Sequence, residues 1–215
     1  MTRIKAVVWD VLGICFYDAR RDVIKNISEA TKIPYGLVRE VLFDNLGPLL
    51  RKGRLTFDDF KDTAKDAGVD LSKVDIKKAW FAPYRKRAGI EDLIDEVKQK
   101  GRTNISLSNN FPELVTYLDD VAGFDFKERF SQSLWSYEVG FTKPSREMYD
   151  KLIEVTGLQG YEMLFVDDQQ KNFPEYLIDK LKVKKLHVPN DTCDLVVIGA
   201  IREGLREYGI QVRKR

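Results

Sequence analysis

Carboxylates follow two short apolar segments of this 215-residue chain. Asp10 comes directly after residues 6–9, and Asp167 and Asp168 come directly after residues 163–166. Three carboxylates that meet in a folded protein repel one another unless a cation neutralises them. A hard ion such as Mg²⁺ prefers oxygen ligands, and this group of residues offers no soft ligand. The sequence therefore predicts a Mg²⁺ site built from these acids.

Polar side chains that suit an anion occur at two further points. Ser108 and Asn109 follow an apolar segment at residues 105–107, and Lys143 precedes a proline and a candidate helix. A hydroxyl and an ammonium group beside a metal ion could together hold an anionic group of a substrate. Asn172, four residues after the acidic pair, is a further polar candidate.

Apolar segments alternate with helical patterns along most of the chain. Helical spacing of apolar residues is clearest at 90–100 and at 145–155, where Ser145 is a predicted N-cap. Such alternation is typical of an α/β fold with a parallel sheet and helices on both faces. Ligands of these sheets bind beyond the carboxyl ends of the strands, which is where the polar candidates lie. The predicted strands are residues 6–9, 105–107, 163–166 and, more weakly, 185–188.

Residues 16–88 interrupt that alternation. No convincing strand occurs there, whereas apolar residues recur at helical spacing in four stretches, the third of which begins with an N-cap pattern at Thr56. We therefore predict a Rossmann-like core at residues 1–15 and 89–215. An α-helical cap at residues 16–88 is inserted into this core after the first strand.

The order of these motifs resembles that of the haloacid dehalogenase-like (HAD) hydrolase superfamily. The subfamily with a small helical cap after the first motif is the most similar. The resemblance covers nearly the whole chain, and the combination of motifs is specific although each motif is short. The four motifs are Asp10, Ser108, Lys143-Pro144 and Asp167-Asp168-x-x-x-Asn172.

The resemblance implies a role for each residue. Asp10 would be the nucleophile that forms a covalent aspartyl intermediate. Ser108, with the backbone N–H of Asn109, would bind the transferring phosphoryl group. Lys143 would hold the nucleophile and the developing negative charge. The metal ligands would be Asp10, Asp168, Asp167 directly or through water, and the backbone carbonyl of Leu12, with Asn172 in support.

Leu12 departs from the family pattern. Phosphatases of the family usually carry an aspartate there, which protonates the leaving alcohol and later activates water. General acid–base catalysis typically contributes about 10²–10⁴ in rate, so an alkyl phosphate should be a poor substrate for this chain. A proton donor could instead come from the substrate, from water or from the insert, where Tyr17 and Asp18 are candidates. Acyl and aryl phosphates have leaving groups that need no proton.

The favoured hypothesis is a Mg²⁺-dependent hydrolase, a phosphatase acting on a small phosphorylated metabolite with weakened acid–base catalysis. One alternative is a catalytically impaired protein of this fold that binds phosphate or a protein partner. Another is a dehalogenase or a phosphonate-cleaving relative, since both lack the second aspartate. The acidic pair argues against a dehalogenase, because those enzymes need no metal. No lysine of the insert is marked out as the Schiff-base residue of a phosphonate-cleaving enzyme.

Charge balance and cysteine content narrow the class of protein. The 36 lysines and arginines nearly balance the 34 acidic residues, for a net charge of +2, whereas nucleic-acid binding usually shows as a basic excess. The two cysteines have no disulfide or zinc spacing, and no apolar run is long enough to span a bilayer. We expect a soluble cytoplasmic protein with no nucleic-acid or membrane partner. The sequence leaves its oligomeric state open.

Three further groups are assigned no catalytic role. Basic groups at Arg51-Lys52 and at residues 85–87 are usual for solvated faces, although one of them could meet a substrate anion across the cleft. His187, the single histidine, lies on the predicted strand 185–188 and is interpreted as a packed residue.

Overall fold

Five parallel strands form one sheet, and helices connect them. This computed structural model describes residues 3–191 and 193–213. Positions 1, 2, 192, 214 and 215 belong to the range predicted for the core and lie outside the described residues. The strands are β1 (Ala6–Trp9), β2 (Thr103–Ser108), β3 (Gln132–Trp135), β4 (Met163–Asp167) and β5 (Lys184–His187). Their order in space is β3-β2-β1-β4-β5, which confirms the predicted α/β fold with a Rossmann-like sheet.

The central strand β1 is buried along its whole length. Val8 pairs with Ile105 of β2 on one side and with Phe165 of β4 on the other. A strand covered on both faces is a continuous apolar run rather than an alternating one, which explains the sequence AVVW. Because the strands are parallel, the residues that follow β1, β2 and β4 emerge at the same edge of the sheet.

Helices fill most of the remaining chain. Helix α4 begins as predicted, because Thr56 Oγ1 accepts a hydrogen bond from the backbone N–H of Asp59 at 3.1 Å. In the described residues, no helix is long and apolar enough to cross a membrane. The α-helices are α1 (Arg20–Thr31), α2 (Tyr35–Val38), α3 (Gly47–Arg51), α4 (Phe57–Asp66), α5 (Ile76–Phe81), α6 (Ile90–Gln99), α7 (Pro112–Thr116), α8 (Phe126–Arg129), α9 (Ser136–Val139), α10 (Arg146–Thr156) and α11 (Asp194–Glu207). The π-helical segments are Arg39–Leu46, Tyr117–Val121 and Tyr176–Lys180, and the 3₁₀ turns are Gly160–Glu162 and Gln170–Asn172.

Helices α1–α5 lie between β1 and α6, in the range predicted for the cap. The two chain connections to this range run side by side. The backbone N–H of Tyr17 donates to the Arg85 carbonyl, and that of Arg87 donates to the Cys15 carbonyl, both at 3.0 Å. The buried Arg87 guanidinium also donates to the carbonyl of Gly13 at 3.0 Å. The division of the chain into a core and a cap stays a prediction.

Aromatic residues join the inserted helices to the sheet. Phe111, which follows β2, stacks on Phe57 of α4 with 5.7 Å between ring centroids and 10° between planes. It also makes an edge contact with Trp80 of α5 at 6.0 Å. All three rings belong to one buried cluster with residues of β1. The inserted helices are therefore packed over the carboxyl end of β2.

Strand β3 is the main element that the sequence prediction missed. It lies at the edge of the sheet, and Gln132 and Ser133 are only half-buried, so it lacks the continuous apolar run of a central strand. Ser145 occupies the N-cap position of α10, as predicted. Its hydroxyl, however, makes no capping hydrogen bond.

Candidate active site

Three carboxylates meet at the carboxyl ends of β1 and β4. Asp10 follows β1, Asp167 ends β4 and Asp168 comes next, and one oxygen of each lies within 4.8 Å of the others. The register explains this, because Trp9 pairs with Val166 and an acid follows each of them. Asp167 is fully buried and Asp10 is 4% exposed. The three acids predicted as metal ligands are thus brought together in an arrangement that could hold a metal ion.

Lys143 forms ion pairs with two of these acids. Its Nζ lies 2.9 Å from Asp10 Oδ1 and 2.7 Å from Asp167 Oδ2, and the side chain is buried. Burial lowers the pKa of Lys143, but the Asp10 and Asp167 carboxylates outweigh this effect and raise it above its ordinary value. The ammonium group therefore stays charged at neutral pH and fixes Asp10 and Asp167 side by side.

The carboxylate of Asp10 is held through one of its oxygens. Oδ1 accepts the backbone N–H of Val11 at 2.7 Å in addition to the contact with Lys143, whereas Oδ2 accepts no hydrogen bond from the described residues. Burial raises the pKa of Asp10 well above its ordinary value, and Asp167 and Asp168 add to the rise while Lys143 opposes it. A cation among these carboxylates would favour the ionised form of Asp10.

Asp168 has the feature that best fits a metal ligand. Its Oδ1 is buried and has no hydrogen-bond partner among the described residues. Burial, together with neighbouring Asp167, raises the pKa of Asp168 to about 7. A buried carboxylate oxygen without a donor has lost its hydration without compensation, and a cation would supply the missing partner. His187 Nε2 lies 3.0 Å from the backbone oxygen of Asp168, so the histidine packs behind this loop.

Asn172 positions Asp167. Its Nδ2 lies 2.9 Å from both carboxylate oxygens of Asp167, and the backbone N–H of Gln169 donates to Oδ1 at 2.8 Å. The Tyr149 hydroxyl donates in turn to the backbone carbonyl of Asn172 at 2.7 Å. Asp167 is therefore extensively hydrogen-bonded by protein groups, which leaves Asp168 the freer of the two acids to contact a metal ion.

Ser108 and Asn109 lie at the end of β2 beside the same space. The Ser108 hydroxyl is buried and has no hydrogen-bond partner among the described residues, so it is available to a ligand. Asn109 Oδ1 accepts the backbone N–H of Lys143 at 2.7 Å, and Asn109 Nδ2 donates to the Lys143 carbonyl at 2.9 Å. This pair of bonds ties the lysine loop to the end of β2.

A cavity of about 130 Å³ opens above the site. Leu12 is half-buried and faces the same cavity as the predicted nucleophile. Of the two candidate proton donors, Asp18 lines the cavity, whereas Tyr17 packs against the Arg85 guanidinium at 4.9 Å. The sequence-predicted residues in the lining are Asp10, Leu12, Ser108, Asn109, Lys143 and Asn172.

Several contacts that support the site were missed by sequence reasoning. Tyr149 is spaced like an apolar core residue of α10, and nothing in its position along the chain indicates a contact with Asn172. The side-chain bonds of Asn109 to Lys143 join positions 34 residues apart. The contact of Gly13 with Asp168 could have been suspected from the sequence. A glycine shortly after a strand often marks a positive φ or a close approach of the backbone to another group.

The fold and the site together place this chain among hydrolases with a Rossmann-like core. A family model of haloacid dehalogenase-like hydrolases matches residues 4–174. The matched range contains β1, the inserted helices, β2, β4 and every candidate site residue. The chain belongs to the haloacid dehalogenase-like hydrolase family.

Solved structures share this fold. The HAD family enzyme BT-2542 of Bacteroides thetaiotaomicron has a TM-score of 0.77 at 21% identity, over 88% of this chain and 95% of that chain. That enzyme has also been solved in complex with magnesium and inorganic phosphate. The L-2-haloacid dehalogenase of Xanthobacter autotrophicus has a TM-score of 0.60 at 19% identity, over 86% of this chain and 77% of that chain. An uncharacterised protein of Dictyostelium discoideum is 23% identical over 164 residues, which span 70% of this chain and 66% of that protein.

Proposed function

We propose that this protein is a Mg²⁺-dependent phosphatase that transfers the phosphoryl group of a small metabolite to Asp10 and then to water. The observation that carries the proposal is the convergence of Asp10, Asp167 and Asp168, with one oxygen of each within 4.8 Å of the others. The magnesium and phosphate complex of the Bacteroides enzyme supports it. Both cysteines are free thiols, which supports the expected cytoplasmic location.

The residues that would hold Mg²⁺ are Asp10, Asp168 and the backbone carbonyl of Leu12, with Asp167 as a direct or water-mediated ligand. The partnerless Oδ1 of Asp168 supports this fit. When bound, Mg²⁺ offsets the negative charge of the carboxylates and of the phosphoryl oxygens. Asn172 keeps Asp167 in place through two contacts of 2.9 Å.

Asp10 acts as the nucleophile in this proposal. Its Oδ2 attacks phosphorus, an oxygen–phosphorus bond forms, and the bond to the leaving-group oxygen breaks with its electron pair moving to that oxygen. Water then attacks the phosphorus of the aspartyl phosphate. Inorganic phosphate leaves, Asp10 returns as a carboxylate, and a proton of the water is released. Lys143 holds Oδ1 at 2.9 Å throughout, which leaves Oδ2 for the attack.

Three donors hold the phosphoryl oxygens, namely Ser108 Oγ, the backbone N–H of Asn109 and Lys143 Nζ. The Ser108 hydroxyl has no protein partner to give up. Donors that are already aimed at developing charge stabilise a transition state without reorganisation. Residues 16–88 act as the cap, since Phe43 and Trp80 of this range line the cavity and exclude water from the reacting group.

Leu12 restricts the range of leaving groups. Asp18 is the other carboxylate besides Asp10 in the cavity lining, and its Oδ1 already accepts the backbone N–H of Arg20 at 3.1 Å. A leaving group of low basicity departs without a proton, so acyl and aryl phosphates are the proposed substrate class. An alkyl phosphate lacks the general acid that typically contributes about 10²–10⁴ in rate.

Leu12 also favours one competing function, a binding protein of this fold with impaired chemistry. Against it stands the preservation of the other parts, because Asp10, Ser108 and Lys143 line one cavity and one oxygen of Asp10 lies within 4.8 Å of an oxygen of Asp167 and of Asp168. A site without function would be expected to lose more than one of its parts. The acidic cluster likewise disfavours dehalogenase chemistry, which needs no metal.

Phosphate release from p-nitrophenyl phosphate and acetyl phosphate, with Mg²⁺ and after its removal with EDTA, tests the proposal. We expect release that requires Mg²⁺ and that falls by about 10³ or more in Asp10→Asn, because the variant lacks the nucleophile. Asp62→Asn, an exposed aspartate on α4, is the matched control and should retain native rates. If the native chain binds inorganic phosphate but releases no phosphate from either compound, the protein is a binding protein and the proposal is wrong.

A further inference from the structure

Arg51 brings a cation to the cavity from the inserted helices. It is the last residue of α3 and lines the same cavity as Asp10. Gly47, four residues earlier, leaves room for it, because a Cβ on Gly47 would lie 3.3 Å from both terminal guanidinium nitrogens of Arg51. Helical side chains lean towards the preceding turn. The guanidinium is therefore folded back over Gly47 instead of extending away into solvent.

The guanidinium of Arg51 has no partner in the described part of the protein. Its side chain forms no hydrogen bond and no ion pair there. Nearby Asp44 is paired with Arg39 at 3.2 Å. Burial lowers the pKa of Arg51 and the like charge of Arg20 adds to this effect, while Tyr84, Asp44 and Asp18 oppose it. Because none of its five donors is committed to a protein acceptor among the described residues, all of them are available to a ligand.

The other cations of the cavity lining are differently placed. Lys143 is already paired with Asp10 and Asp167. Lys171 is exposed. Arg20 is also exposed, but it lies close enough to Arg51 to influence it electrostatically. The cavity therefore has a phosphate-binding side on the sheet and a separate cationic side on the inserted helices.

An aromatic wall completes this space. Phe43 and Trp80, both in the cavity lining, stack at 4.8 Å between ring centroids with 15° between planes. The volume of about 130 Å³ is below the 300–1,000 Å³ of typical drug-sized sites, by a factor of roughly two or more. The cavity thus suits a molecule of a few carbon atoms rather than a nucleotide.

We propose that Arg51, with Arg20 beside it, binds a second anionic group of the substrate. The substrates are then compact members of the class proposed above, acyl or aryl phosphates, that also carry a carboxylate or another phosphate. This inference rests on the function proposed above, because the first phosphate is taken to lie at Asp10. A planar guanidinium binds either kind of anion through two parallel hydrogen bonds.

Calorimetric titration of the Asp10→Asn protein with Mg²⁺ tests this inference without turnover. Three probes form a matched series: glycerol 3-phosphate, 3-phosphoglycerate and glycerol 1,3-bisphosphate. We expect the probe with the preferred second anion to bind about 10- to 100-fold tighter than glycerol 3-phosphate, as charge-assisted hydrogen bonds imply. The two probes with a second anion are then compared. Tighter binding of 3-phosphoglycerate identifies a carboxylate as the natural second group, and tighter binding of glycerol 1,3-bisphosphate identifies a phosphate.

Variants in the Asp10→Asn background assign the effect to Arg51. Arg51→Met should reduce the preference for the second anion to about threefold or less, and Arg51→Lys should restore part of it, because the charge returns without the planar fork. Arg54→Met is the matched control, since Arg54 is exposed and absent from the cavity lining. It should keep the full preference.

Three outcomes overturn the inference. Equal affinity for all three probes shows that no second anion is bound, while the proposed phosphatase function stands. An equal loss in Arg54→Met and Arg51→Met shows a general charge effect and not a site. Failure of all phosphate esters and of inorganic phosphate to bind removes both the inference and the function on which it rests.

Discussion

The carboxylate of Asp168 occupies the space that a side chain on residue 13 would need. A Cβ added to Gly13 would lie 2.4 Å from Asp168 Cγ and within 2.6 Å of both carboxylate oxygens. Gly13 also has φ of +104°, a conformation that other residues adopt at a cost of about 1–3 kcal/mol. The loop after β1 and the end of β4 therefore approach each other as closely as they do because residue 13 has no side chain.

Gly13→Ala should displace Asp168 and weaken Mg²⁺ binding by about tenfold or more, since a metal ligand has to sit within a few tenths of an ångström of its position. The thermal stabilisation produced by adding Mg²⁺ measures this effect. Gly68→Ala is the matched control, because Gly68 has φ of +92° and open space around its Cβ position. An equal loss of the Mg²⁺ response in both variants would show that backbone strain, and not contact with Asp168, is responsible.

Lys143→Met should leave two buried carboxylates without their cation. Removing one partner from a buried ion pair costs about 3–5 kcal/mol, and Lys143 contacts both Asp10 and Asp167. We expect the free energy of unfolding in Mg²⁺-free buffer to fall by about 3 kcal/mol and phosphate release to be lost. Urea unfolding at neutral pH measures the first effect.

The control for that variant is Lys151→Met, which removes an exposed lysine paired with Glu154 on α10. Exposed ion pairs contribute about 0–1 kcal/mol, so this variant should unfold nearly as the native chain does. Comparable destabilisation by the two substitutions would contradict a special role for the buried lysine.

Glu96 and Arg202 form a buried two-pronged ion pair, with contacts of 2.8 Å and 2.9 Å. The hydrogen bonds from Arg202 lower the pKa of Glu96 from 4.5 to about 2. Because the folded state favours the ionised carboxylate, this stabilisation is fully present above about pH 5 and is lost as the pH falls towards 2. The pair connects α6 to α11.

Lowering the pH from about 6 to about 2.5 should therefore destabilise the native chain more than the Glu96→Gln variant. We expect the free energy of unfolding to fall by roughly 1–3 kcal/mol more for the native chain. The glutamine cannot gain the proton that weakens the native pair. Glu154→Gln, at an exposed glutamate, should follow the native profile. Parallel profiles for the native chain and Glu96→Gln would show that the pair does not contribute to acid sensitivity.

Leu12→Asp should restore a carboxylic acid to the cavity. Leu12 is half-buried and lines that space, so an acid there faces the leaving group. We expect the rate with an alkyl phosphate to rise by about 10²–10⁴, with a much smaller gain on acetyl phosphate, whose leaving group needs no proton. Leu195→Asp, at an exposed leucine on α11, should change neither rate. Gains of equal size on both substrates would argue against an acid role at position 12.

The sheet was predictable wherever a strand is buried on both faces. Segments β1 and β4 are apolar runs followed by acids, and the shorter pattern of Ile105 and Leu107 marked β2, so the strands and the polar residues after them could be found together. Edge strand β3 was not predictable, because one side of it needs no apolar cover and Gln132 and Ser133 are polar. The pairing of β1 with β4 determines which acids meet. Trp9 lies opposite Val166 in the two parallel strands, so the acids that follow them, Asp10 and Asp167, lie side by side.

Contacts that join distant positions were beyond the reach of the sequence. The bonds from Asn109 to the backbone of Lys143 and the packing of Gly13 against Asp168 depend on how two loops approach each other. Arg51 belongs to the same group, because its charge looked like part of a solvated face. Its position in the cavity lining depends on how the inserted helices lie on the sheet.

The central position of β1 also determines when the acidic cluster can assemble during synthesis of the chain. β1 is made before both of its neighbours, and its second neighbour, β4, is made only after the inserted helices and β2. A growing chain that ends before residue 163 therefore holds Asp10 without Asp167 or Asp168, beside an unpaired strand edge. The ribosome must deliver most of the polypeptide before β1 obtains both of its neighbours, so no early fragment of this chain carries all three acids of the cluster.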